Sequence, residues 1–153
     1  MRGSMAWLAV AVALTVALGG CATHRERMSW FFSEDRQEGA KLVLGVPDTD
    51  HLHLMALCQP HSGEVRLMIV GRQGDPAVVE LHSGKLWKRY EGAGRGDDES
   101  LGALDIQFQL RADDPVLARV ADTGELAVVL GRRRMILPNS FAQAHDFIAA
   151  CRP

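Results

Sequence analysis

The stretch ALDIQFQL, residues 103–110, alternates with a period of two: Leu104, Ile106, Phe108 and Leu110 share one face, while Asp105, Gln107 and Gln109 share the other. Successive side chains of a strand point to opposite faces, so this stretch reads as a strand with one face on a core and one in water. The same period recurs at 41–46, 51–58, 64–70, 77–82, 85–90, 125–130 and 134–137. Turn-forming residues separate these runs at Pro47-Asp48, 59–63, 71–76, Ser83-Gly84 and 131–133. About eight short strands at this spacing predict a mainly β domain, a small antiparallel sandwich or barrel.

Two helices interrupt the pattern. Asp113-Asp114-Pro115 supplies an N-cap and a first-turn proline ahead of Val116, Leu117 and Val120, with Gly124 as a stop, so a short helix is expected near 115–122. A C-terminal helix opening at Asn139 would place Phe141, Ala144, Ile148 and Cys151 on one face. Between the strands, 91–102 (EGAGRGDDESLG) lacks core-forming side chains and reads as a mobile loop; its Arg95-Gly96-Asp97 spells the integrin-binding tripeptide by chance. The basic triple Arg132-Arg133-Arg134 follows Gly131 between apolar runs and reads as a hairpin turn. His61 and His82 each begin an HSG triplet, which reads as repeated turn chemistry.

At the amino terminus, AWLAVAVALTVAL (6–18) carries no charge and follows Arg2. A bilayer-spanning helix needs about 20 apolar residues, so this run has the proportions of a signal sequence instead. It ends at Leu18-Gly19-Gly20-Cys21, which resembles the lipobox of bacterial lipoproteins. The resemblance implies a lipoprotein signal peptide over 1–20, cleaved ahead of Cys21, whose thiol carries diacylglycerol and whose new amino group is acylated, with palmitate as the typical label. Ala22 rather than aspartate after the cysteine implies the outer membrane under the enterobacterial sorting rule. Residues 21–28 form a short tether and 29–153 a single β-rich domain, a length that fits one core. With Cys21 consumed by lipid, the remaining pair Cys58 and Cys151 in an oxidising compartment is expected to form a disulfide.

The chain has a formal net charge of −2, mildly acidic, which argues against nucleic acid as a partner. His51 and His53 alternate on an expected strand, but no second ligand pair stands at a fixed spacing, so they read as solvent-facing and no metal or cofactor is expected. No Gly-x-Ser-x-Gly elbow occurs; Ser62 and Ser83 each sit between a histidine and a glycine and read as turn residues. Asp97-Asp98 reads as solvated loop and Asp113-Asp114 as a helix cap, leaving no catalytic residues and the expectation that the chain is not an enzyme.

The stretch HSGKLWKRYEG (82–92) is similar to the inhibitory loop of membrane-bound inhibitors of C-type lysozyme, small barrel-forming lipoproteins with a disulfide, in which Ser-Gly precedes an aromatic. Here Ser83-Gly84 precedes Trp87, one position later than in that family. The resemblance implies that Ser83 and Lys85 or Lys88 face the catalytic carboxylates of a lysozyme. Independently of it, Trp87 and Tyr90 beside Lys85, Lys88 and Arg89 make an aromatic and basic edge of the kind favoured at recognition hot spots. The expectation is a protein of the bacterial cell envelope facing the periplasm, held to the bilayer through acylated Cys21, with a non-catalytic binding or structural role. Its partner would be an envelope protein or a peptidoglycan-lytic enzyme. Inhibition of lysozyme-type enzymes is the second reading and a small envelope hydrolase the third.

Overall fold

The alternating runs become strands that divide between two sheets in the computed structural model, which describes residues 27–96 and 103–153. The expected signal peptide 1–20, Cys21 and residues 97–102 with Asp97 and Asp98 lie outside the described residues. In chain order the elements are β1 (Ser29–Asp35), β2 (Gly39–Gly45), β3 (Leu52–Cys58), β4 (Glu64–Arg72), β5 (Val78–Ser83), β6 (Leu86–Glu91), β7 (Ala93–Gly96), β8 (Ala103–Arg111), α1 (Pro115–Thr123), β9 (Ala127–Leu130), β10 (Arg133–Ile136) and α2 (Phe141–Cys151). One sheet runs β1-β2-β3-β4-β8-β7 and the other β10-β9-β5-β6, and every pairing is antiparallel. Neither sheet closes on itself, so of the two expected architectures the chain takes the sandwich.

Alternation decides what each sheet gives to the core. Leu42, Leu44, Leu54, Leu67, Ile69, Ile106 and Phe108 come from the six-stranded sheet, and Val79, Leu81, Val128 and Leu130 from the four-stranded one. The chain changes sheets at Gly92: β6 pairs with β5, whereas β7 pairs with β8. A Cβ at Gly92 would stand 2.9 Å from the Gln107 carbonyl oxygen, so only glycine lets the strand bend this close to β8.

The sequence did not announce β1 or β7. β7 takes Ala93–Gly96 out of the stretch expected to be a mobile loop, because its backbone groups find partners along β8 from Leu104 to Gln107. Arg133 and Arg134 belong to β10, and only Gly131-Arg132 makes the hairpin turn.

Helix α1 forms as its termini demand. Asp114 accepts a 3.0 Å hydrogen bond from the Val116 N–H, Pro115 opens the helix, and Gly124 ends it at φ +70° with its N–H on the Val120 carbonyl, 2.7 Å away. The start of α2 is fixed by Asn139, whose side chain accepts from the Phe141 N–H (3.1 Å) and donates to the Thr123 carbonyl (3.0 Å), linking the two helices. Helix α2 buries Ala144, Phe147, Ile148 and Cys151. Phe141, expected on that face, is 51% exposed, its ring meeting that of His145. α2 lies against β1 and β2, α1 against β5 and β6, and the helices against each other, so the pair bridges the two sheets. Cys58 and Cys151 are paired as a disulfide, Cα atoms 5.8 Å apart, tying the end of β3 to the end of α2.

Candidate binding face on the four-stranded sheet

Register builds the site. His82 stands opposite Trp87 on one side and Ala127 on the other, and Ala127 stands opposite Ile136. The next line across the strands is Arg89, Glu80, Val129 and Arg134. Residues directly opposite in an antiparallel pair share a face. Since the alternate positions Val79, Leu81, Val128 and Leu130 are buried, these two lines form the outer face.

That face combines an ordered polar network with exposed apolar surface. The Trp87 indole, 55% exposed, stacks on the His82 ring with centroids 5.7 Å apart and planes 14° from parallel. A ring nitrogen of His82, Nε2, is 3.2 Å from Glu80 Oε2, while Arg89 donates from Nε (3.3 Å) and a terminal nitrogen (2.8 Å) to Glu80 Oε1. One carboxylate therefore orients both neighbours. The Arg89 guanidinium, followed by His82, holds the Glu80 carboxyl below the usual carboxylate range. Beside His82 opens a cleft of about 240 Å³ floored by Ala127 and walled by Ile136, Arg134, Glu125 and Asn139. Ile136 is 81% exposed at its rim.

The residues singled out from the sequence do not stay together. Trp87 and Arg89 lie on the outer face and Lys85 in the exposed β5–β6 turn. Ser83 is fully buried, its Oγ 3.4 Å from Thr123 Oγ1 and its carbonyl held by Arg119 Nε at 3.0 Å. Tyr90 is also buried, stacked on Phe108 with its hydroxyl donating to Asp114 Oδ1 at 2.8 Å. Burial, then the Asp114 carboxylate, pushes the Tyr90 pKa far above its ordinary value. Lys88 points to the side of α1, donating to Asp114 Oδ2 at 2.7 Å and standing over the Tyr90 ring. Ser83 and Tyr90, expected to meet a partner, thus turn into the core because they alternate with the outward residues of their strands.

No protein-family model, curated protein or solved structure matches the chain. The face thus presents a flat exposed indole, a cleft of mixed polar and apolar lining with Ile136 at its rim, and the exposed Arg134 guanidinium. His82 and Glu80 were findable from their alternation with Leu81 and Val79. Ile136 was not, since an isoleucine in an apolar run reads as core.

His51 precedes β3, its carbonyl accepting from the Val46 N–H, and His53 falls where the β2–β3 register shifts, so the two do not alternate along one regular strand as expected. Both are exposed. Among the described residues, no three His, Cys, Asp or Glu side chains gather as metal ligands.

Proposed function

We propose that the chain is a lipid-anchored protein of the bacterial cell envelope, at the outer membrane and facing the periplasm, that binds a partner without chemically changing it. Acylation at Cys21 supplies the anchor, since two or more acyl chains suffice for stable membrane attachment. The outer face of the four-stranded sheet is the recognition surface, and the exposed but fixed Trp87 carries this reading. An indole held by stacking before its partner arrives loses little further freedom on binding, which is what a hot-spot residue needs. The partner is an envelope protein. A lysozyme-type enzyme would have to be met through Trp87 and Lys85, because Ser83 is internal.

Photocrosslinking in living cells with benzoylphenylalanine in place of Trp87 or Ile136, and of Asp122 on α1 as control, tests this. A discrete crosslinked species is expected from the first two positions and not the third, and it should fade with Arg134→Ala. Equal labelling at all three positions would sink the assignment of the face. For the anchor, Cys21→Ser should lose fatty-acid labelling; unchanged palmitate incorporation would remove the lipoprotein reading.

A further inference from the structure

The outer face of the six-stranded sheet carries apolar side chains that the core does not use. Phe31 stands opposite Val43, Val43 opposite Met55, and Met55 opposite Met68, so four apolar residues cross four neighbouring strands in one line. Three strand spacings make this line about 14 Å long. Phe31 is 44% exposed and the other three are half-buried. At one end, Phe31 and Val43 wall a cleft of about 340 Å³ whose far side is the β2–β3 hairpin, lined by Val46, Pro47 and Leu52 and, toward the hairpin tip, by the acidic residues Asp48 and Asp50.

We propose that this face rests on the surface of the bilayer that holds the anchor, an inference built on the lipid-anchored reading above. Chain length supports that occupant. Ser29 opens β1 only eight residues after Cys21, a span of at most about 28 Å when fully extended, and Phe31 follows two residues later. The tether arrives at the end of the sheet that holds the cleft, because Ser29 pairs with Gly45 beside the β2–β3 hairpin. An edge strand held this close to lipid brings its exposed ring and the flexible thioethers of Met55 and Met68 within reach of the boundary between headgroups and acyl chains. The adjoining line, Ser33, Lys41, Leu57 and Arg66, adds two cations for phosphate headgroups, with Lys41 also paired to Glu38. Both sheets give their inner faces to one core, so seating this face on lipid turns Trp87 and its cleft toward the periplasm.

The test uses the full acylated protein in phosphatidylethanolamine–phosphatidylglycerol vesicles, with dansylalanine in place of Phe31, Met68 or Trp87. Probes at positions 31 and 68 should shift to the blue and lose intensity when doxyl-labelled lipid is included, while the probe at 87 does neither. Protein that floats with the vesicles but shows no quenching at 31 or 68 overturns the proposal and leaves the anchor standing. A blue shift at 31 that grows with protein concentration and ignores doxyl lipid identifies a second copy as the occupant, and also overturns it. Protein that neither floats nor carries acyl mass on Cys21 removes the anchor and the docking together.

Discussion

Asp114 shows how much one side chain can organise. Its carboxylate is buried and accepts from the Val116 N–H, the Tyr90 hydroxyl and the Lys88 ammonium, so a helix cap, the end of β6 and an aromatic core contact share one acceptor. Asp114→Ala strands the Tyr90 hydroxyl as well as removing the cap, and should cost about 3 kcal/mol in denaturant unfolding. Tyr90→Phe should cost about 1–2 kcal/mol, and the double mutant should be less unstable than the sum, since the two share a bond. Additive losses would mean the hydroxyl and the carboxylate do not act together. The cap was legible in Asp113-Asp114-Pro115 because capping is local. The roles of Lys88 and Tyr90 were not: their partner lies 26 and 24 residues away, and only the fold brings it to β6. From the sequence, Lys88 belonged with Trp87 on a recognition edge, yet strand alternation separates the two faces.

Among the elements, the strands that could be read are those with a clean period of two, and the missed ones explain themselves. In β1, Trp30, Phe31 and Phe32 are consecutive aromatics, so alternation is hidden although Trp30 is buried and Phe31 exposed. In β7, Ala-Gly-Arg-Gly has no apolar pattern at all, and the strand exists because β8 offers an open edge after the bend at Gly92. The α1–α2 junction rests on Gly124, whose left-handed φ of +70° and proximity to the Phe141 backbone and the Asn139 side chain leave no room for a methyl group. Gly124→Ala should therefore lower stability by about 2–3 kcal/mol, more than loss of backbone freedom alone explains, and a fully stable alanine variant would contradict that packing. A second junction is Asp75, which accepts from the Arg72 N–H (2.8 Å) and an Arg133 guanidinium nitrogen (2.6 Å), pinning the β4–β5 loop to β10. Burial pushes its carboxyl up, but these two donors outweigh that and hold it below the ordinary value. A carboxylate with a depressed folded pKa stabilises fully above its unfolded pKa, about 3.9, and that stability disappears as pH falls through the lower folded value. The advantage of the native chain over Asp75→Asn, measured by urea unfolding, should be present near neutrality and shrink below about pH 4. A difference that stays constant from neutral to acid would refute the ion pair.

For the molecule as a whole, the Cys58–Cys151 bridge is a long-range covalent constraint, joining positions 93 residues apart. Removing a native disulfide from a small exported domain typically costs about 2–5 kcal/mol, so Cys58→Ser and Cys151→Ser should each lower the thermal midpoint substantially. The double mutant should fall no further than the worse single one; a further drop would show that the thiols act separately. The pairing was legible because the lipobox resemblance removed Cys21 and left two thiols. The division into two sheets was not, since it turns on where β6 leaves β5 and β7 joins β8, a choice made at Gly92 by contacts distant in sequence. The placement of the bridge also decides how the protein would respond to mechanical pull. Tension applied through an amino-terminal anchor enters at β1, an edge strand, and can peel β1, β2 and β3 away in succession, releasing about 100 Å of extended chain. At Cys58 a pull between the two ends of the chain passes through the sulfur bridge to Cys151 and bypasses the backbone between them. The four-stranded sheet lies wholly within that bypassed length, so such a pull would uncover the core it shares with β2 and β3 without stretching its own strands.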